Sequence, residues 1–280
     1  MATSSLSSRT ALDGCGRWAP VGFQYPARTI THTRQWQSTR LQAADVDPAR
    51  YGDVAEVGLF GLDCFDSMVD AGLCIDGYIF FDQRFQLLKP VMLDQPVTIR
   101  GEVCALIPVS RGLFVDETYR FYDESGTLCL ETRLRGVLNL TPGQQEGLVP
   151  EPMPRRKTQP VEGWELLETK QITPRKVRDF SEDIGNDLHF DPQAAQAMGF
   201  RAPLAQGVMS SVYLMGGLAR RSCPTQMDVT VEYLRPIFWD STVQLWGLSQ
   251  SGTTYPAALQ SRDEAGKVTV QLSARSVSSD

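Results

Sequence analysis

The sequence contains one stretch twice, as LKPVMLDQPVTIRG at residues 88–101 and as LRPIFWDSTVQLWG at residues 234–247. The two copies align without a gap, and each is typical of a strand, a turn and a second strand. Farther along the chain, the hairpin signal DESG at residues 123–126 recurs as DEAG at residues 263–266. Because the paired stretches keep the same order, they predict a duplicated structural unit.

Each copy of the unit is predicted to contain one long helix followed by several antiparallel strands. The first helix covers about residues 58–73, with apolar side chains at helical spacing, and the second covers about residues 204–221. Alternating residues predict strands near 78–90, 95–106, 110–122 and 127–140 in the first copy, and near 226–235, 241–250, 253–262 and 267–277 in the second. A long helix across an antiparallel sheet, present twice, is an α+β fold.

Changes in composition divide the chain into four segments. We expect a disordered tail at residues 1–27, a first repeat at residues 28–140, a linker rich in Pro, Gly and Gln at residues 141–161, and a second repeat at residues 162–280. Pairing two such repeats edge to edge removes an exposed strand edge from each. The predicted product is a pseudo-dimer within one chain, which exists as a monomer or as a homodimer.

The composition disfavours several classes of protein. The 280 residues are 42% hydrophobic and 21% charged, which is typical of a globular protein, and no apolar run approaches the roughly 18 residues that span a membrane. The net charge of −6 disfavours nucleic acid as a partner. The polar N-terminal sequence MATSSLSSRTALDG lacks the apolar centre of a secretory signal, so we expect a cytoplasmic protein, with an organelle transit peptide as the alternative.

Motifs for cofactors are absent from the sequence. It has no P-loop, no G-x-G-x-x-G after a strand, no H-E-x-x-H and no G-x-S-x-G, and its 6 cysteines are scattered without a C-x-x-C pair. We therefore expect free thiols, no metal and no bound cofactor. Only 2 histidines occur, His32 and His189, so any imidazole chemistry depends on one of them. His32 lies in a Thr-rich stretch that we interpret as a strand without a partner motif.

The most informative stretch is TPRKVRDFSEDIGNDLHFDPQAAQAMGFRAPLAQGVMSSVYLMGGL, at residues 173–218. A short helix with Pro in its first turn leads into a Gly-Asn-Asp loop that carries a histidine, and the second long helix begins after residues 199–203, GFRAP. The stretch resembles the MaoC-like hydratases and dehydratases. The residues that carry the resemblance are His189, Asp191, Pro192, Ala195, Gly199, Phe200, Pro203 and Gly207.

The resemblance implies a double hotdog fold, in which each repeat packs an antiparallel sheet on one long helix. It also implies a hydro-lyase that reversibly adds water to a 2-enoyl thioester carried on coenzyme A or on an acyl carrier protein. Such chemistry needs a base for the water and N–H groups at a helix start for the enolate oxygen. His189 would be the base and the amide of Gly207 the oxyanion donor, while residues 55–85 of the first repeat would line the acyl pocket.

The sequence departs from the family at two positions. The catalytic Asp of the family falls on Ile184 or on Asn186, depending on whether the loop is aligned at its histidine or at its glycine. The candidates to assist the histidine are therefore Asn186, Asp187 and Asp183. The His that precedes the helix glycine in the family is Gln206 here, and its amide can orient water or the thioester but cannot relay a proton.

Two alternative functions stay open. Asp63, Asp66 and Asp70 share one stripe of the first helix, where hotdog thioesterases use a carboxylate, so thioester hydrolysis is the alternative reaction. The other interpretation of this stripe is a solvated flank of the helix. The second alternative is a non-catalytic module that binds an acyl group or a protein. Arg178 and Arg201 are the candidates to contact the phosphates of coenzyme A or an acidic acyl carrier.

Overall fold

The computed structural model describes residues 18–73, 75, 77–140, 142–154, 156, 162–181, 186–249 and 252–279. The strands in these ranges are β1 (Arg28–Ile30), β2 (Tyr78–Leu87), β3 (Val97–Val109), β4 (Gly112–Tyr122), β5 (Leu128–Asn139), β6 (Trp164–Gln171), β7 (Gln226–Tyr233), β8 (Thr242–Leu248), β9 (Ala258–Asp263) and β10 (Val268–Ser278). The helices are α1 (Arg34–Ala43), α2 (Phe60–Asp70), α3 (Pro142–Gln145), α4 (Pro174–Ser181), α5 (Pro192–Ala197) and α6 (Gly207–Leu218).

The strands form one antiparallel sheet in the order β1-β3-β4-β5-β2-β7-β10-β9-β8-β6. Counted outward from the central β2–β7 pair, both halves have the same order, with β5 and β10 next, then β4 and β9, then β3 and β8, and β1 and β6 at the edges. At the centre, the Arg84 guanidinium donates two hydrogen bonds, of 2.7 and 2.6 Å, to the carboxylate of Asp228. The duplication predicted from the sequence is confirmed, and the fold is an α+β double hotdog.

The turn chemistry of the two repeats is also the same. Asp123 directly follows β4 and Asp263 is the last residue of β9, and each side chain accepts backbone N–H groups two and four residues farther along the chain. A glycine in the left-handed region closes each turn, Gly126 with φ of 77° and Gly266 with φ of 73°. Such a glycine avoids the steric cost that a side chain would have there. The two predicted hairpins are therefore present.

Helices α2 and α6 lie on the inner face of the sheet and fill the core. All of α6 from Val208 onward is buried, and the two helices approach closely at Gly61 of α2, where an added Cβ would lie 2.9 Å from a methyl group of Val208. The core continues through both repeats without interruption. The outer face of the sheet carries charged side chains that form ion pairs between neighbouring strands, including Arg135 with Asp116. Among the described residues, no helix is long and apolar enough to cross a membrane.

Several expectations from the sequence differ from the structure. Trp18, Ala19 and Tyr25 fall within the predicted disordered tail, yet they are buried in the core, whereas residues 1–17 lie outside the described residues. Part of the predicted linker packs on the sheet, because Glu151 pairs with Val109. Strand β9 begins at residue 258 rather than near residue 253.

The sequence analysis also missed helix α1 and strand β6. Helix α1 follows directly after the segment around His32, so that segment is not the predicted strand. Its start is capped by Thr33, whose hydroxyl accepts the N–H of Trp36. The helix has no continuous apolar stripe, and two of its buried side chains, Gln37 and Arg40, are polar. Helical periodicity therefore gave no signal for it.

Candidate active site

The loop that carries His189 is shaped by two side-chain caps. Asn186 precedes a single 3-10 turn at residues 187–189, and its side-chain oxygen accepts the N–H of Leu188 at 3.1 Å. Asp191 caps helix α5 by accepting the N–H of Gln193 at 2.8 Å. Both side chains therefore fix the backbone on either side of the histidine. Asn186, a predicted catalytic residue, has this capping role in the structure.

His189 is held in one tautomer by a backbone carbonyl. Its side chain is 7% exposed, and Nδ1 lies 2.9 Å from the carbonyl oxygen of Leu204. Since a carbonyl oxygen only accepts hydrogen bonds, Nδ1 carries the proton and the lone pair of the neutral ring is on Nε2. Burial lowers the pKa of His189, an effect that the hydrogen bond to Leu204 opposes. The imidazole is therefore neutral at pH 7 and can accept a proton at Nε2.

Helix α6 begins three residues after Leu204 and presents backbone N–H groups. The segment before the helix is anchored by the N–H of Ala205, which donates to the carbonyl of Ile237 at 2.8 Å. Gln206 is the N-cap residue, but its side chain forms no capping hydrogen bond. The first N–H groups of a helix have no partner within the helix, and the helix dipole favours negative charge there. The amide of Gly207 is thus suited to stabilise an oxyanion.

Gln206 has an unusual environment for a polar side chain. It is 7% exposed, and its side-chain oxygen is buried without a hydrogen-bond partner. A buried amide oxygen without a partner costs free energy, since most such atoms are paired in folded proteins. A ligand at the start of α6 with a hydrogen-bond donor would remove that cost.

Two aromatic rings border the start of α6. A Cβ added at Gly207 would lie 3.5 Å from the ring of Tyr233 and 3.6 Å from the ring of Phe80. Phe80 belongs to β2 of the first repeat and Tyr233 to β7 of the second, so the site lies where the two repeats meet. Gly207, Phe80 and Tyr233 are each partly exposed. The sequence analysis included Phe80 in residues 55–85, which it expected to line an acyl pocket, but its contact with residue 207 is not visible in any local pattern.

The structure does not bring every predicted site residue to the histidine. Asp187 is exposed, and Asp183 lies outside the described residues. Arg178 lies over the ring of Phe190 at 6.0 Å. Within the described part of the chain, no carboxylate forms an ion pair or a hydrogen bond with His189.

Arg201, the other predicted contact for carrier phosphates, is exposed and paired. Its guanidinium donates two hydrogen bonds of 2.8 Å to Asp240 and lies 4.0 Å from the ring centre of Phe238. An anion that binds there would have to compete with the carboxylate of Asp240. No cluster of three or more His, Cys, Asp or Glu side chains suited to a metal ion occurs among the described residues.

The second histidine has a partner that the sequence analysis missed. Nε2 of His32 lies 2.9 Å from the carboxylate of Asp63 in the first turn of α2, and both side chains are buried. The imidazole is stacked between the rings of Trp36 and Phe60, and its Nδ1 is buried without a hydrogen-bond partner. The acidic stripe on α2 is therefore not simply a solvated flank.

The other two carboxylates of that stripe have a basic partner. Arg28 of β1 lies 2.9 Å from Asp70 and 3.5 Å from Asp66, at the exposed end of the stripe. Burial raises the pKa of Asp66 to about 6, and the neighbouring carboxylates act in the same direction while Arg28 opposes them. The pairing with Arg28 offsets the like-charge repulsion that the sequence pattern implied.

Solved structures with the same fold cover nearly the whole chain. HtdX from Mycobacterium tuberculosis is 16% identical, with a TM-score of 0.70 over 89% of this chain and 99% of that one. A MaoC-like dehydratase from Phytophthora capsici is 16% identical, with a TM-score of 0.68 over 91% of this chain and 95% of that one. An acyl-ACP thioesterase from Bacteroides thetaiotaomicron is 12% identical, with a TM-score of 0.52 over 89% and 96% of the two chains.

Sequence comparisons alone add nothing to this likeness. Neither protein-family models nor curated protein sequences match the chain. At such low identity the structural likeness establishes the fold, which agrees with the resemblance drawn from residues 173–218. The protein therefore has the double hotdog fold of the MaoC-like dehydratases over nearly its whole length.

Proposed function

We propose that the protein adds water to a 2-enoyl thioester, or removes water from the 3-hydroxyacyl thioester, as a hydro-lyase. The observation that carries this proposal is the orientation of His189 beside the start of α6. Its Nδ1 is held by the carbonyl of Leu204, so the lone pair that acts as the base is on Nε2. The uncapped amide of Gly207 is available to the thioester oxygen.

The reaction needs one base and one oxyanion donor. Nε2 of His189 takes a proton from water, the water oxygen bonds to the β-carbon, and the electrons of the double bond move to the thioester oxygen. The amide of Gly207 stabilises the negative charge on that oxygen. The imidazolium then returns the proton to the α-carbon, which restores the thioester carbonyl. One molecule of water is added in total, and dehydration is the reverse sequence.

Comparison with known structures supports this choice of reaction. HtdX covers nearly the whole chain, and several other structures with this fold are described as MaoC-like dehydratases. We propose coenzyme A or an acyl carrier protein as the carrier of the acyl group. Arg178, near the ring of Phe190, and Arg201, paired with Asp240, remain our candidates to contact the anionic carrier. The mechanism uses no metal and no bound cofactor.

Hydration of crotonyl-CoA tests the proposal. The absorbance of the enoyl thioester should fall when the protein is added. His189→Asn keeps a side-chain N–H that can reach the Leu204 carbonyl but removes the base, so kcat/KM should fall by roughly 10²–10⁴-fold. His32→Gln is the matched control, because it replaces the other histidine and can still donate to Asp63. A wild-type protein without hydration activity, or a His189→Asn variant with full activity, would refute the assignment.

Thioester hydrolysis is the second candidate function. It is favoured by the buried pair of Asp63 and His32 in the first repeat, since a carboxylate on the central helix is the group that a hydrolytic mechanism would use. A structural likeness to an acyl-ACP thioesterase gives it further support. Release of free thiol from saturated butyryl-CoA, abolished by Asp63→Asn and unaffected by His189→Asn, would favour hydrolysis. If neither reaction occurs, the non-catalytic alternative is favoured.

A further inference from the structure

The space next to Gly207 is closed by aromatic rings on the side of the first repeat. Phe80 borders Gly207 and makes edge contacts with Tyr233 at 5.7 Å, with Tyr78 at 6.0 Å and with Phe65 at 6.4 Å between ring centres. On the proposed function, a thioester oxygen at the Gly207 amide places the acyl carbons against these rings. The length of acyl group that the site accepts therefore depends on whether the rings can move.

The rings are fixed by hydrogen bonds and stacking. The hydroxyl of Tyr233 lies 2.5 Å from the hydroxyl of Ser211 on α6. The hydroxyl of Tyr78 donates to the carboxylate of Glu117 at 2.8 Å, and its ring stacks on Trp18 at 5.1 Å. Phe80 lies between these two anchored tyrosines, so it has little freedom to rotate away from the site.

Two glycines allow tyrosine rings of the first repeat to pack directly on the backbone of the sheet. A Cβ at Gly136 of β5 would lie 2.0 Å from Cζ of Tyr78, and a Cβ at Gly101 of β3 would lie 2.5 Å from the ring of Tyr119. The rings of Tyr78 and Tyr119 therefore lie directly on backbone that carries no side chain. Tyr78 and Tyr119 are both buried, so their rings fill space inside the first repeat.

Behind the rings the repeat contains a buried carboxylate. Glu117 is 1% exposed and accepts hydrogen bonds from the hydroxyls of Tyr25, Tyr78 and Tyr119, a group that we call the phenol cluster. An alkyl chain that entered this region would displace the phenols and leave buried polar groups without partners. That penalty opposes the gain from burying the methylene groups of the chain.

Two cavities among the described residues lie away from the site. A cavity of about 20 Å³ lies next to Tyr51 and Glu56, and a groove of about 620 Å³ lies on the charged outer face of the sheet. Neither is lined by His189, Gly207 or Phe80. An acyl group on a thioester bound at Gly207 would therefore lie in neither of these two cavities.

We propose that Phe80, supported by the phenol cluster, restricts the substrate to short-chain acyl thioesters such as the crotonyl thioester. The proposal rests on the hydratase function and names the substrate class of the same site. It makes Phe80 a specificity-determining residue, and it assigns Glu117 and the three tyrosines the role of keeping the acyl pocket closed.

The test compares chain lengths in the wild type and in Phe80→Ala. We expect kcat/KM of the wild type for crotonyl-CoA to exceed that for trans-2-dodecenoyl-CoA by at least about 100-fold, and Phe80→Ala to reduce this ratio by at least about tenfold. Phe80→Leu provides a second variant if Phe80→Ala does not fold. Phe114→Ala, which removes the same ring on the outer face of the sheet, is the control and should leave the ratio unchanged. Equal use of both substrates by the wild type would overturn the proposal.

Binding measurements separate this proposal from the reaction itself. If the wild type does not hydrate crotonyl-CoA, the hydratase function fails, and chain-length selection is tested with saturated thioesters by calorimetry. Butyryl-CoA should then bind the wild type more tightly than dodecanoyl-CoA, and Phe80→Ala should reduce the difference. A wild type that binds dodecanoyl-CoA as tightly as butyryl-CoA, or that binds neither, would overturn the proposal.

Discussion

Replacement of Gly136 by Ala tests whether the Tyr78 ring lies directly on the backbone of β5. The new Cβ would lie 2.0 Å from Cζ and 2.3 Å from the hydroxyl oxygen of Tyr78. An ordinary contact begins near 3.4 Å, so the ring has to move by about 1.4 Å. Because the ring also stacks on Trp18 and its hydroxyl donates to Glu117, it cannot move by this distance and keep both of these contacts.

The cost follows from the two contacts that the ring would lose. Since burial raises the pKa of Glu117 to about 7, its carboxyl group is only partly ionised at neutral pH, and the hydrogen bond from Tyr78 contributes about 1–3 kcal/mol. An aromatic stack such as that with Trp18 contributes about 0.5–1.5 kcal/mol. Gly136→Ala should therefore lower the free energy of unfolding by about 1.5–4.5 kcal/mol. Urea denaturation followed by fluorescence gives this difference from the shift of the midpoint.

Two comparisons show whether overlap with the Tyr78 ring causes the loss of stability in Gly136→Ala. Gly143→Ala is the matched control, because a Cβ there meets no atom within 4 Å, and its stability should stay within about 0.5 kcal/mol of the wild type. In a Tyr78→Leu background the ring atoms are absent, so adding Gly136→Ala should cost less than about 1 kcal/mol. The same loss in both backgrounds, or no loss in the wild-type background, would refute the explanation.

Three further predictions concern His189, Glu117 and the Arg84–Asp228 pair between β2 and β7, where the two repeats meet. Burial lowers the pKa of His189, so kcat/KM should be constant at neutral pH and fall only below about pH 6.5, as the base becomes protonated. Burial raises the pKa of Glu117 to about 7, so as the pH rises the unfolded chain loses the carboxyl proton before the folded protein does. The free energy of unfolding should therefore fall between about pH 4.5 and 7. Glu117→Gln should remove up to about 3 kcal/mol of that fall. Arg84→Met removes the paired hydrogen bonds to Asp228 and should lower stability by about 1 kcal/mol in urea denaturation.

Each of these predictions has a contrary outcome. If kcat/KM already falls while the pH is lowered towards 7, the base has a pKa above 7, and a group other than His189 acts as the base. An unchanged pH dependence of stability in Glu117→Gln would show that the carboxylate is already ionised in the folded protein. Lys89→Met is the comparison for Arg84→Met, because Lys89 forms an ion pair with Asp123 and its side chain is more exposed than that of Arg84. It should lower stability less than Arg84→Met does.

Local patterns in the sequence predicted most of the strands and the two long helices, but not α1 or β6. Strand alternation, helical spacing and the two Asp-to-Gly turns depend only on residues close together in the chain, and they predicted the duplication, the hairpins and the two long helices. Those elements were predictable because each is produced by interactions within one short segment. His189 and Gly207 became candidates instead through the resemblance of residues 173–218 to the MaoC-like hydratases and dehydratases.

The site itself was decided by contacts between distant segments. The sequence alone determined that the chain is duplicated and that His189 and Gly207 are the candidates for chemistry. Only the tertiary structure places Phe80 of the first repeat against Gly207, pairs His32 with Asp63, and surrounds Glu117 with three tyrosines. The physical reason is that periodicity reports which face of an element is buried, whereas the partner on that face is set by how the two repeats pack together.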